Sequence, residues 1–292
     1  MIILAPGGIG NQLFAIAAAF QMVKNRNEKV VVYSDSRELV GSFKSVKSKT
    51  RNPIKVTLTY SKFRKRFLSK FNGKMNYFAV NEILFYESLR KKFITAQNPH
   101  DIPDVFFKPE EKSPWLISGF FQDPDLVEGL GDDAKSFISN LLCKSNDSSN
   151  QKVLRTSRLI GIHIRRGDYQ QIPSYGTLSM SYFSKTLHDI RNEGDSVLVA
   201  SDDQNTLDKF ALSENIDVIS PLSNGPLKTI QELSEADIFI MSNSTFSFWV
   251  SWRISQKSGL IYSPIPWFKN VSVPENYLYP KGAVLVPAIF DE

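Results

Sequence analysis

The 292-residue chain is 42% hydrophobic and 22% charged, an ordinary globular composition that excludes long disorder, and its length suggests two domains of ~100–200 residues each. Its one cysteine, Cys143, excludes an internal disulfide and adds no Cys partner for a zinc site, which fits a reducing compartment. Net charge is +5, yet eleven of the 35 Lys and Arg fall in residues 39–81, which hold no acid, so the remainder carries 24 bases against 30 acids and the basicity is local.

In chain order, residues 1–5 form an apolar strand, followed by a glycine turn and a helix with Leu13, Ile16, Phe20 and Val23 at helical spacing. The apolar run 13–20 lacks the preceding positive region of a secretory signal, and no stretch reaches the ~18 apolar residues of a membrane span. These features predict a cytoplasmic protein that meets a membrane only at its surface. A strand over 29–33 completes a strand–helix–strand unit, the seed of a parallel sheet. Residues 40–110 alternate aromatic and basic side chains and are read as a helix-rich insertion, and the acid-free basic stretch 39–81 binds an anionic partner or forms a solvated face. A strand follows over 115–121.

The polar stretch 144–151, KSNDSSNQ, has the composition of a linker and places the domain boundary at 150/151. Beyond it, strands over 159–164, 196–200, 217–219, 238–241 and 259–262 alternate with helices over 181–191, 205–214, 227–235 and 245–254. Short apolar strands between helices mean a doubly wound α/β sheet, in which ligands bind outside the carboxyl ends of the strands.

Four motifs fall at such ends. Gly7-Gly8-Ile9-Gly10-Asn11-Gln12 lies between the first strand and helix, where glycines let backbone N–H groups approach an anion. Gly8-x-Gly10 also begins a dinucleotide fingerprint with Asp35 as the ribose acid, although Leu13 replaces its third small residue; a tight structural turn is the other reading. His163-Ile164-Arg165-Arg166-Gly167-Asp168 ends an apolar strand, with His163 and Arg165 on one face by alternation. Guanidinium forks there suit a diphosphate, and Asp168 either orients an arginine in an ion pair or moves a proton. Ser201-Asp202-Asp203 offers adjacent carboxylates for a guanine edge or, as the alternative, a helix cap. Neither this pair nor Asp123-Pro124-Asp125 is read as a metal site. In 242–249, SNSTFSFW, four hydroxyls and an amide crowd a helix start, more than one cap requires, which suits phosphate, while Phe246 and Trp249 are read as core.

Together with SGFFQ at 118–122 and PWF at 266–268, these motifs resemble the α-1,2-fucosyltransferases of glycosyltransferase family 11 across nearly the whole chain. Phe248 stands where members usually carry the first of two tryptophans. The resemblance implies a GT-B architecture, two Rossmann-like doubly wound domains (1–150 and 151–292) facing across a cleft, the second holding the donor. It implies an inverting, metal-independent and cofactor-free transfer of fucose from GDP-fucose to a galactoside 2-hydroxyl, in bacterial surface polysaccharide or O-antigen synthesis. The acceptor would be an oligosaccharide or lipid-linked glycan, with peripheral contact to an anionic inner membrane face and no nucleic acid partner. By the same resemblance Arg165 would hold the β-phosphate, with Arg166 beside it, and His163 and Asp203 would lie at the nucleoside. Ser244, Thr245 and Ser247 would sit at the phosphates, Gly8, Gly10, Asn11 and Gln12 would approach from the N-terminal side, and Asp168 is a candidate base.

Overall fold

The computed structural model describes residues 1–4, 7–26, 29–50, 54–60, 93–95, 116–143, 157–214, 216, 225–271 and 277–291. The chain divides into two compact units, Met1–Leu141 and Leu142–Glu292. The division precedes the polar linker because the helix Asp132–Leu141 spends its apolar side within the first unit. There Phe137 packs against Phe20 and Phe43 at ring-centroid distances of 5.3 and 4.8 Å. The linker itself lies outside the described residues.

The first unit runs β1 (Ile2–Leu4), α1 (Ile9–Arg26), β2 (Val30–Ser34), α2 (Arg37–Lys49), β3 (Val56–Tyr60), β4 (Phe93–Thr95), β5 (Leu116–Ser118), α3 (Pro124–Glu128) and α4 (Asp132–Leu141). Its sheet is ordered β3-β2-β1-β5-β4, and the four pairings are all parallel. The run 13–19 of α1 is fully buried, and a helix apolar all round belongs inside a core. The expected helix-rich insertion is corrected in part: residues 37–49 are helical, but 56–60 and 93–95 are strands that extend the sheet. Val56 and Leu58 alternate inward from β3, a period-2 pattern hidden among basic residues.

The second unit runs β6 (Leu159–Ile164), a 3₁₀ turn (Gly167–Gln171), α5 (Met180–Ile190), β7 (Ser196–Ser201), α6 (Gln204–Glu214), α7 (Pro226–Leu233), β8 (Ile238–Ile240), α8 (Thr245–Ser255), β9 (Leu260–Ile265) and β10 (Val284–Pro287). Its parallel sheet is ordered β10-β9-β8-β6-β7. The strand expected over 217–219 lies outside the described residues. Ile160, Ile162 and Ile164 join Phe183, Leu187, Val199 and Phe210 in the core.

Strand order decides where ligands go. In each sheet the chain leaves the first strand toward one side and later returns to its other side, at β1/β5 and at β6/β8. A crevice opens at such a switch point, outside the carboxyl ends of the strands. The glycine motif follows β1 and the arginine motif follows β6, so each unit carries a motif at its own switch point.

Candidate functional site

In the second unit the arginine motif meets the hydroxyl-rich start of α8 because β6 and β8 are neighbours. Ser242 fastens the two: its Oγ donates to the His163 carbonyl at 2.6 Å and accepts the Arg165 backbone N–H at 2.9 Å. Ser244 caps α8, accepting the Phe246 N–H at 3.1 Å, and Thr245 is half-buried at its first position. Ser247 lies one turn in; its Oγ accepts the Ser242 N–H at 3.1 Å and shares a 2.7 Å hydrogen bond with His163 Nδ1.

His163 is 4% exposed and stacks on Phe246 at 4.4 Å. Burial, with the Arg165 charge adding to it, pushes its pKa down to about 3, so the ring is neutral at physiological pH. Phe246 is thus the ring that His163 packs against, while Trp249 lies in the core as expected.

Arg165 is a cationic group that stays partly accessible, with a side chain 28% exposed. Its Nη1 donates to Asp202 Oδ2 at 2.5 Å, its Nη2 donates to Asp168, and its guanidinium lies 5.4 Å from the Tyr169 ring centroid. Asp168 therefore makes the ion pair that was one of its two readings. Arg166 points elsewhere: its side chain is 9% exposed and pairs with Asp291, which also accepts from Thr177 Oγ1 at 2.8 Å. The structure gives Arg166 the contacts of a fold-holding residue, separating it from Arg165.

Of the adjacent acids, Asp203 makes the capping contacts, accepting the Thr206 N–H at 3.3 Å and the Thr206 hydroxyl. That hydroxyl, foremost, holds its carboxyl below the usual range. Asp202, expected with Asp203 at a guanine edge or a helix cap, instead faces Arg165. The signal for it is register: β6 pairs with β7 through Ile164↔Ser201, which sets the next residues, Arg165 and Asp202, side by side.

In the first unit Gly8 and Gly10 stand at the entry and second residue of α1, and Gly7 precedes them at φ +83°. Gln12 is 3% exposed, with Nε2 donating to Asp35 Oδ1 at 2.8 Å and Oε1 accepting from Ser34 at 2.6 Å. Asn11 Oδ1 accepts from Gln122 Nε2 at 2.8 Å, which brings the SGFFQ segment to the glycine turn; Gln122 was not among the expected site residues. The structure therefore gathers the predicted residues into two clusters, one per unit.

Among the described residues, no group of three His, Cys, Asp or Glu side chains is arranged to hold a metal. Asp123 of the Asp-x-Asp spacing caps α3, accepting the Asp125 N–H at 2.8 Å. No described helix is long and apolar enough to cross a membrane.

Two units of parallel sheet, each with a motif at its switch point, are a fold of the GT-B type. The fold matches the ADP-heptose LPS heptosyltransferase II of Escherichia coli with a TM-score of 0.51 over 98% of this chain and 89% of that one, at 9% identity. The chain belongs to glycosyl transferase family 11, whose family model matches residues 11–263. It is 27% identical to the O-antigen biosynthesis glycosyltransferase WbnK of E. coli, covering 90% of this chain and 93% of that protein. To an α-1,2-colitosyltransferase of E. coli it is 23% identical, covering 90% and 91%. Family membership displaces the nicotinamide reading of Gly8, Gly10 and Asp35.

Proposed function

We propose that this glycosyltransferase is an inverting α-1,2-fucosyltransferase that moves L-fucose from GDP-β-L-fucose to the 2-hydroxyl of a galactoside, in assembly of a bacterial surface polysaccharide such as an O-antigen. The observation that carries the reading is Arg165: a partly exposed guanidinium at the β6/β8 switch point, whose backbone N–H is bonded to Ser242 Oγ just ahead of α8. Both features favour a diphosphate, the guanidinium by its fork of donors and the helix end by its partial positive charge. The relatives named for O-antigen synthesis and for α-1,2 transfer support the pathway and the linkage.

In this reading the acceptor oxygen attacks the fucose anomeric carbon on the face opposite the diphosphate. The bond from that carbon to the phosphate oxygen breaks, and GDP departs with the electron pair. Arg165 stabilises the charge that grows on the β-phosphate, with Ser244 and Thr245 at the helix end; Ser247, expected there too, is instead fully buried and bonded to His163 and the Ser242 N–H. His163 and Asp203 stand on the nucleoside side. An in-line displacement needs its base on the face away from the diphosphate, so Asp168, ion-paired with Arg165, is not given that role and the acceptor's proton passes to another group. Arg166 serves the clamp by anchoring the turn that follows β6. No metal or cofactor is invoked. The basic segment 39–81 brings the enzyme to an anionic membrane surface where a lipid-linked acceptor resides.

The test is a screen of galactose-terminated acceptors with GDP-fucose and GDP-colitose, followed by linkage analysis. An α-1,2-fucosyl product from GDP-fucose supports the reading. Turnover of the colitosyl donor alone, or another linkage, overturns it.

A further inference from the structure

We infer that Asp202 is a positioning residue for the transfer, fixing the Arg165 guanidinium in the orientation that meets the donor's diphosphate. The inference rests on the function proposed above and deepens it.

One carboxylate grips the arginine segment at two points. Asp202 Oδ2 accepts from the Arg165 side chain at 2.5 Å, and Oδ1 accepts the Arg166 backbone N–H at 2.8 Å. The head of the side chain and the backbone just beyond its root are thereby tied to one group at the end of β7. The backbone is shaped for that approach: Gly167 has φ +28°, and a Cβ there would collide with Asp202 Oδ2. Glycine at 167 thus serves a close contact as well as the turn.

Asp168 is a different kind of partner. It lies three residues on, in the 3₁₀ turn Gly167–Gln171, its side chain is 64% exposed, and it accepts from the other terminal nitrogen, Nη2. Exposed pairs of that kind are weak and exchange readily. Asp202 has a side chain 22% exposed and two ordered bonds. The Nη2 edge is therefore the one a diphosphate oxygen takes over, while Asp202 stays in place on Nη1 and sets the plane of the fork. A planar, bidentate donor acts only where its plane is aimed, so losing the anchor weakens the interaction with the developing charge.

The experiment is a double-mutant cycle of Asp202→Asn with Arg165→Lys. Asparagine keeps an acceptor for the Arg166 N–H and removes the charge that orders the guanidinium. In the wild-type background the expected loss is about tenfold in kcat, with a smaller change in donor KM. In the Arg165→Lys background the same substitution is expected to cost less than about twofold, because its effect runs through the arginine. Equal losses in both backgrounds, or an unchanged kcat, would overturn the inference. If Asp202→Asn fails to fold, Gly167→Ala reaches the same carboxylate from the backbone side and is held to the same two outcomes. Turnover of GDP-fucose by the wild type tests the proposed function separately. The cycle is read on whichever nucleotide-sugar donor the wild type turns over, so the two claims fail independently.

Discussion

His163 Nδ1 lies 2.7 Å from Ser247 Oγ, which ties the end of β6 to the first turn of α8 through a buried, neutral imidazole. In the unfolded chain this histidine titrates near 6.5, and in the fold only at about 3. Between those values the unfolded state binds one more proton, so stability is full above about 6.5 and declines as pH falls toward 3. This group contributes a slope of up to about 1.4 kcal/mol per pH unit. Thermal unfolding at pH about 7.5 and about 5.5 should show a larger fall for the wild type than for His163→Asn, which cannot titrate. Parallel falls would mean that His163 is not buried in its neutral form.

The glycine turn of the first unit separates two adjacent positions. Gly7 has φ +83°, and a side chain there would collide with the Asn11 amide that accepts from Gln122, whereas a Cβ on Gly8 meets nothing within 4 Å. Gly7→Ala is expected to cost roughly 1–3 kcal/mol and Gly8→Ala under about 0.5. Matched chemical denaturation of the two variants checks the contrast, and equal stabilities would refute the assigned turn.

In the proposed function Arg165 meets the leaving group, so transfer is expected to survive excess EDTA. Loss of turnover on chelation, restored by manganese or magnesium, would show that a cation shares the work of Arg165.

The basic segment should carry the enzyme to anionic vesicles in a flotation assay, with binding that weakens as salt is raised, since each basic residue near such a surface contributes roughly 1 kcal/mol. Its described part contributes exposed Lys44 and Lys49, whereas Lys47 donates to the Val56 carbonyl at 2.7 Å. Equal recovery with neutral vesicles would contradict the proposed membrane contact.

The βα alternation of the second unit was legible because its strands are short apolar runs and its helices carry caps such as Ser179 and Ser244. The four motifs could be placed at strand ends for the same reason. Less legible was α2, whose inward face is only Leu39, Val40 and Phe43 in a lysine- and serine-rich stretch, and β10, an edge strand with Val284 and Leu285 exposed. Partner choice was hidden altogether. Asp202 rather than Asp203 meets Arg165 through the register of two strands, and Arg166 finds Asp291 at a separation of 125 residues. Both are set by tertiary packing, which local spacing does not encode.

The central claim is that Arg165 stabilises a departing diphosphate, and kcat for donor turnover by Arg165→Lys tests it most directly. Lysine keeps the charge but replaces a planar fork, held by Asp202 and Asp168, with a point donor. Because the charge develops chiefly in the transition state, the loss should fall on kcat more than on KM. The expected result is a folded enzyme, by circular dichroism, whose kcat is lower by ~10²–10³. A folded Arg165→Lys variant with near wild-type kcat would contradict the account and move the clamp to another residue.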